Sequence, residues 1–325
     1  MSGKIDQMHA TLTKIDKAKE EGKDTPEMEQ WIEKISSKDY GLVQILIDTF
    51  LQDYKNPDFA KKVLKILHYL SLFSPKIVEE QFIPNQDFPK IIAIYITETP
   101  LEHITPEVFV ILVRIFHESS FKDVTTHAFM QQLFNTLEFF EDQEYLTSVV
   151  FIIVCICLEF PANHKAGNFL GTFPPHDDGQ EAAEEEEAKD VSDSNPVLVA
   201  LKTHKNGRYF GETLVKLLNE GVLAQSEQSL ECVAAIFSTP ALQKEFFFTS
   251  DLPILQDILL RELGKVSEEK VRLKFLQVVL QMRKLFPHIE EGVEEVRDTM
   301  AIIKSPINDY SDAEIALATQ IQNNC

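Results

Sequence analysis

Glycine and tryptophan are scarce in this chain, which has 11 glycines and one tryptophan among 325 residues. So few glycines leave little room for the tight turns that join the strands of a sheet protein. Long apolar stretches are also missing. The longest one extends from Leu146 to Leu158, and Glu159 ends it. A transmembrane helix needs about 20 apolar residues, so this run predicts a helix that is buried on every side.

The four cysteines (Cys155, Cys157, Cys232 and Cys325) do not have the spacing of a zinc site or a disulfide framework. Cys155 and Cys157 would point to different faces of a helix, and we interpret them as reduced core residues. The nine histidines form no pair at one-turn spacing, and no glycine-rich phosphate loop occurs. We therefore expect neither a metal nor a cofactor.

Basic residues are outnumbered, since 31 lysines and arginines face 52 acidic residues and the net charge is −21. This charge disfavours nucleic acid and anionic membranes as partners and favours a partner with a basic face. The segment from Asp177 to Asp193 is the most acidic. We interpret it as a solvated tether, with electrostatic capture of a basic partner as the alternative. The charged N-terminus is not a secretory signal, so we expect a cytoplasmic protein.

Helical periodicity with Pro, Asn, Asp or Ser punctuation fills most of the chain. The cap signals include Thr25, Asn56, Thr105 and Asn195, each before a proline, and Ser311 with Glu314. The predicted helices are about 4–21, 26–36, 39–54, 57–73, 75–82, 85–98, 105–118, 121–141, 143–159, 196–205, 208–220, 226–237, 239–247, 252–264, 267–286, 288–303 and 310–322.

Such helices, joined by short turns, predict an all-α, armadillo/HEAT-like α-solenoid. We predict an N-terminal helical half (1–160), an acidic disordered loop (161–195) and a C-terminal helical half (196–325). No fixed period near 40 residues is visible, so the repeats are degenerate.

Acid–base catalysis is disfavoured, because the paired glutamates are adjacent on predicted helices and diverge toward water. These pairs are Glu79/Glu80, Glu290/Glu291 and Glu294/Glu295. A Cys–His pair assembled by the fold remains an alternative without a local signature. We predict a protein that is not an enzyme and that acts as a monomer.

Two blocks carry the most information. In the first, Thr239–Arg272, three phenylalanines (246–248) precede a helix that Asp251 caps and Pro253 begins. At least two of the three rings must be core. The second block, Asn195–Gly221, predicts a helical hairpin with a basic turn and with Phe210 packed inward. Its pattern is carried by Asn195, Tyr209, Phe210, Gly211, Glu212, Leu217, Leu218 and Asn219.

Together the two blocks are similar to the leucine-rich domain of the WISH/DIP/SPIN-90 family of armadillo-like proteins. The resemblance implies that the chain binds and activates the actin-related protein 2/3 complex and nucleates linear filaments without a preformed filament. Actin would then be an indirect partner, and the location would be cortical actin sites or patches. The alternative is a generic α-solenoid adaptor for another cytosolic partner. No SH3 domain or PxxP-rich region is present, so binding to adaptor proteins is not implied.

Six charged residues in the two blocks are candidate partner contacts. The turn of the hairpin is basic, which is unusual in an acidic protein and suits an acidic partner patch. The other three residues are candidates only because of the resemblance, since surface ion pairs among them would contribute little. The six are Lys202, Lys205, Arg208, Arg261, Glu262 and Arg272.

Overall fold

The structure is a computed structural model that describes residues 40–73, 75–85, 87–116, 120, 122–160, 195–223, 226–243 and 246–325, together with residues 3, 5, 6, 9 and 10. Every regular element in these ranges is a helix, and no strand occurs there, so the all-α prediction is confirmed. No helix in these ranges is long and apolar enough to cross a membrane. The predicted acidic loop lies outside the described residues except for Asn195.

The described part of the chain contains the following long helices, in chain order: α1 (Tyr40–Asp53), α2 (Pro57–Phe73), α3 (Asp87–Glu98), α4 (Glu107–Phe116), α5 (His127–Phe139), α6 (Gln143–Glu159), α7 (Pro196–Thr203), α8 (Gly207–Asn219), α9 (Glu227–Ser238), α10 (Asp251–Leu263), α11 (Glu269–Leu285), α12 (Val293–Lys304) and α13 (Asp312–Asn323). Short helical turns lie at Pro75–Ile77, Val78–Phe82 and Leu101–His103.

The chain divides into two compact units, and the first spans Met1–Ile152. In it α1 packs on α2 and α3, α2 packs on α4, and α3 packs on α4 and α5. Contacts thus join next-but-one helices as well as some neighbouring helices, as in helical repeats. Buried rings hold the centre: Phe50 lies 6.0 Å from Phe88 and 5.8 Å from Tyr95 between centroids. The Tyr95 hydroxyl donates to the His103 carbonyl and accepts from the Thr105 amide.

The second unit, Ile153–Cys325, has the same pattern. Here α8 packs on α7 and α10, α11 packs on α9, α10 and α13, and α13 packs on α12. Helix α11 therefore lies between two helices of its own layer, α9 and α13. Its buried side chains cover more than one face, as expected for an inner helix of such an array: Val271, Phe275, Leu276, Val278, Val279, Leu280 and Met282.

Ion pairs join the neighbouring helices of the α9–α11–α13 layer. Lys270 and Lys274 of α11 lie 3.0 and 2.5 Å from the Glu227 carboxylate of α9. At the far ends of the same two helices, Gln281 donates to Ser238. Since like ends meet, α9 and α11 run parallel. Lys270 and Glu227, like Gln281 and Ser238, are 43 residues apart in sequence, so a repeat of this length, which the sequence does not show, exists in space.

The predicted caps at Asn56, Asn195 and Ser311 are confirmed, because each side-chain oxygen accepts a bond from a first-turn amide. Ser311 and Glu314 form a complete capping box. The cap at Thr105 is wrong, since its hydroxyl is buried without a partner and only its carbonyl accepts from Val108.

Two predicted helix starts are too early. The helix predicted at 121–141 begins at His127, because Thr126 caps it by accepting from the Phe129 amide. The helix predicted at 288–303 begins at Val293, because Gly292 has a left-handed backbone with φ of 72°. Gln256 also occupies the space beside Gly292, where a Cβ would lie 2.7 Å from its Nε2.

The predicted helix at 239–247 and the predicted cap at Asp251 are also wrong. The described residues of 239–247 form turns and bends, and this irregular backbone lets the adjacent Phe246 and Phe247 both enter the core. Successive residues of a helix would diverge by about 100°. Asp251 is already helical because its amide donates to the Phe248 carbonyl, so Ser250 precedes the helix.

The apolar run Leu146–Leu158 lies within α6, and most of it is buried. The prediction that this helix is buried on every side is wrong for one stripe of its surface. Four side chains at helical spacing are only half-buried there: Thr147, Phe151, Cys155 and Leu158. All four cysteines are free thiols. Burial raises the pKa of Cys155 to about 12, so this thiol stays protonated at neutral pH.

Candidate partner-binding surface

Asn195 fastens the start of α7 to the end of α6. Its Oδ1 accepts from the amides of Val197 and Leu198 at 3.0 and 3.3 Å. Its Nδ2 donates to the carbonyls of Cys157 and Phe160 at 2.9 and 2.6 Å. Asn195 is 1% exposed, and a buried amide with both halves bonded is a strong constraint on the chain. Asn195 therefore holds the end of α6 and the start of α7 together at one point.

The predicted hairpin is confirmed as α7, a turn at 204–206, and α8. The turn is tight, since a Cβ on Gly207 would lie 2.5 Å from the Leu201 carbonyl oxygen. Only glycine permits so close an approach without movement of the backbone. Phe210 is fully buried, as predicted.

Helices α8 and α10 run parallel, because polar contacts join their like ends. At the start of α8, the Arg208 guanidinium lies 5.7 Å from the centre of the Phe248 ring, a cation–π contact. At the other end, Arg261 of α10 donates to the side-chain and backbone oxygens of Asn219, both at 3.2 Å. The two sequence blocks of the resemblance therefore meet in space.

The three consecutive phenylalanines have different environments. Phe246 and Phe247 are buried, which confirms that at least two of the rings belong to the core, whereas Phe248 is 41% exposed. A Cβ on Gly211 would lie 2.9 Å from the Phe246 ring, so this glycine lets the ring pack against α8. Phe247 packs edge-on against Phe237 of α9.

Exposed or half-buried side chains of α8 and α10 recur at steps of three and four residues, and with Phe248 they form a surface that spans the two packed helices. We call this surface the α8–α10 face. Its aromatic and aliphatic members are Tyr209, Phe248 and Ile254, which are 37%, 41% and 46% exposed. The complete set is Arg208, Tyr209, Glu212, Lys216, Asn219, Phe248, Ile254, Asp257 and Arg261.

The structure brings three predicted contacts together on the hairpin. Lys202 is in the last turn of α7, Lys205 is in the connecting turn, and Arg208 is in the first turn of α8. Arg261 is at the far end of the α8–α10 face, where it bonds to Asn219. Four of the six predicted residues therefore lie on this face or beside it.

Glu262 lies under the surface, with a side chain that is 4% exposed. Its carboxylate accepts from Arg261 at 3.0 Å and from Lys265 at 2.8 Å. Burial favours a higher pKa for Glu262, but the hydrogen bonds from Lys265 and Arg261 outweigh burial and hold the pKa below its usual value. Its contacts are within the protein, where it orients Arg261.

Arg272 joins α11 to α13 through a buried ion pair. Its Nε lies 2.5 Å from the Glu314 carboxylate, and the two side chains are 13% and 0% exposed. The hydrogen bond with Glu314 raises the pKa of Arg272. Burial favours a higher pKa for Glu314, but bonds from Arg272 and Ser311 hold it low. Little of Arg272 faces solvent, and its observed role is to connect two helices.

Sequence reasoning missed Tyr209, Phe248 and Ile254 as surface residues. Tyr209 and Phe248 stand in the two blocks, but the sequence does not show which of three adjacent phenylalanines points outward. The sequence signal that could have identified these residues is the closeness of aromatic residues to Arg208, because aromatic residues and arginine are both enriched in protein–protein interfaces. This face therefore combines exposed apolar groups with cations.

The paired glutamates 79/80, 290/291 and 294/295 are exposed, as predicted. No group of three or more His, Cys, Asp or Glu that could hold a metal ion occurs among the residues that the structure describes.

Residues 142–286 match the family model of the SPIN90/Ldb17 leucine-rich domain. This segment is therefore similar to the SPIN90/Ldb17 leucine-rich domain. The match confirms the resemblance predicted from the two blocks and contains both of them. The matched segment begins just before α6, ends just after α11, and includes the whole α8–α10 face. This domain family is linked to actin regulation and is of a regulatory adaptor type.

Proposed function

We propose that this protein binds and activates the actin-related protein 2/3 complex and thereby nucleates linear actin filaments without a preformed filament. The observation that carries the proposal is the match of residues 142–286 to the SPIN90/Ldb17 leucine-rich domain, a family linked to actin regulation. The complex would be the direct partner and actin the indirect one. Cortical actin sites in the cytoplasm would be the place of action.

The proposed contacts are Lys202, Lys205, Arg208 and Arg261, on or beside the α8–α10 face. The other two predicted residues act within the protein, since Glu262 orients Arg261 and Arg272 connects α11 to α13. Their carboxylate and guanidinium groups are engaged in ion pairs within the protein.

The proposed mechanism is a population shift. A protein surface that contacts the active arrangement of the complex better than the inactive one moves the equilibrium by its differential affinity. Every 1.4 kcal/mol of this difference changes the ratio of the two states about tenfold. Such a template must be stiff, and the contacts between helices 42–43 residues apart in sequence fix α8 against α10 and α9 against α11.

Assembly of pyrene-labelled actin with purified actin-related protein 2/3 complex tests the proposal. We expect the protein to shorten the lag without preformed filaments and to have no effect when the complex is omitted. Microscopy of the products should show unbranched filaments. An unchanged lag, with no binding to the complex, would refute the proposal.

A pull-down from cell extract separates this function from a generic helical adaptor. Recovery of actin-related subunits on the immobilised protein supports the proposed function. Recovery of other cytosolic proteins without these subunits supports the adaptor.

A further inference from the structure

We infer that the α8–α10 face is the docking site for an acidic protein segment that carries an apolar anchor residue. The anchor packs against the exposed rings at the start of the two helices, and carboxylates beside it meet the cations of the hairpin. The inference rests on the proposed function and deepens it, because the segment then belongs to a subunit of the actin-related protein 2/3 complex.

Three large apolar side chains are exposed where the anchor would bind. Tyr209 and Phe248 are 37% and 41% exposed, whereas Phe210, Phe246 and Phe247, which adjoin them in sequence, are buried. Ile254, in the first turn of α10, adds an aliphatic side chain that is 46% exposed. Tyrosine and arginine are enriched among the residues that dominate binding energy, and aromatic residues in general are enriched in interfaces.

The charge of Arg208 is directed to the surface. Its guanidinium lies over the Phe248 ring, and among the described residues no carboxylate forms an ion pair with it. Lysines of the opposite layer differ, since Lys270 and Lys274 are both paired with Glu227. A carboxylate from a partner would supply the counter-charge that Arg208 lacks.

The cation–π contact with Phe248 also orients Arg208 before a partner arrives. A guanidinium held over a ring keeps its planar fork of donors at the edge, where a carboxylate can bind through both oxygens. Less conformational freedom is then lost on binding. At the far end, the bonds from Arg261 to Asn219 keep α8 and α10 in register, so the face is formed in advance.

Charge complementarity selects an acidic protein segment as the occupant. Lys202, Lys205 and Arg208 place three cations within seven residues of a chain whose net charge is −21. A compact acidic segment would contact only these cations. An extended anion, such as nucleic acid or an anionic membrane, would also approach the acidic surface of the rest of the protein and be repelled by it. Salt should therefore weaken binding.

Affinity measurements with the purified complex and the full chain test the inference. Phe248→Ala and Arg208→Glu should each weaken binding at least about tenfold, the usual effect of truncating a dominant interface residue. Phe139→Ala is the matched control for the ring, since Phe139 is 46% exposed on α5 of the first unit. Lys304→Glu on α12 is the matched control for the charge reversal. Both controls should bind as the unmodified protein does.

Thermal unfolding of each variant, measured alongside, should show the unmodified midpoint, so that lost binding is not lost folding. If the unmodified protein binds but Phe248→Ala and Arg208→Glu bind equally well, the inference is wrong and the proposed function stands. Weakening by the two control variants to the same degree would also overturn the inference. If the unmodified protein does not bind the complex, both the inference and the proposed function fail.

Discussion

The two layers of the second unit use their basic residues differently. In the α9–α11–α13 layer, Lys270 and Lys274 hold Glu227, and Arg272 holds the buried Glu314. In the α8–α10 layer, Gly211 lets the Phe246 ring pack closely against α8, and Arg208 lies over the exposed ring of Phe248. The cations of the α9–α11–α13 layer are thus engaged in ion pairs within the protein, whereas Arg208 in the α8–α10 layer is directed outward.

The Arg272–Glu314 pair is the contact whose loss should destabilise the protein most. Replacing Glu314 by alanine leaves the guanidinium of Arg272 buried without its partner and also removes the capping box of α13. Loss of one member of a buried pair costs about 3–5 kcal/mol. Denaturant unfolding followed by circular dichroism would measure the change.

The matched control is Glu231→Ala in the same layer. Glu231 pairs with Lys274 but is 43% exposed, so its loss should cost at most about 1 kcal/mol. Equal destabilisation by the two variants would show that burial does not distinguish these pairs.

Gly207→Ala should have the next largest effect, and it tests the tight turn before α8. The added Cβ meets the Leu201 carbonyl oxygen at 2.5 Å, so the backbone of the hairpin must move. Overpacking of this kind costs about 1–3 kcal/mol. Binding of the complex should weaken as well, because the hairpin carries Lys202, Lys205 and Arg208.

Gly264→Ala is the matched control for that variant. At Gly264 the nearest atom to an added Cβ is 3.6 Å away, and the backbone has an ordinary φ of −67°. Its stability should be unchanged or slightly raised. The comparison fails if Gly207→Ala is as stable as Gly264→Ala.

Acid should weaken the ion-paired layer. Because the folded pKa of Glu314 lies below its unfolded value, the stability from this pair is fully present above the unfolded pKa, about 4.3. That stability is lost as the pH falls through the lower folded pKa. Thermal midpoints of the unmodified protein and Glu314→Gln should therefore differ at pH 7 and converge as the pH falls below the folded pKa of Glu314. A difference that is constant with pH would contradict the assigned role of Glu314.

Deletion of Asp177 to Asp193 should have the smallest effect on folding. Asn195 already joins the end of α6 to the start of α7, so a shorter connection between Phe160 and Asn195 leaves the same bonds in place. We expect a change in unfolding free energy within about 0.5 kcal/mol, since loop length has a weak effect. Filament assembly with the deletion variant separates a tether, which gives no change, from electrostatic capture, which gives a loss of activity.

Much of the helical order could be predicted because apolar spacing and caps are local signals. The caps at Asn56, Asn195 and Ser311 are examples, since each oxygen meets an amide only two or three residues away. The errors in predicted helix bounds arise where residues distant in sequence determine the backbone conformation. Gln256 fills the space beside Gly292, and the start of α12 depends on both.

The candidate surface could be predicted only in part for the same reason. The basic turn is visible as Lys202, Lys205 and Arg208, because charge is read directly from the sequence. Exposure of Phe248 depends on where Phe246 and Phe247 pack. The pairing of Arg272 with Glu314 joins residues 42 positions apart, a spacing that no local pattern marks.

The position of α11 has a consequence for shortened forms of the protein. The family match ends at Phe286, but α13 packs on α11 beyond that point and supplies Glu314 to Arg272. A chain cut at Phe286 would present a bare apolar flank of α11 together with an orphaned arginine. Such a fragment should self-associate, because α13 covers that flank of α11 in the longer chain.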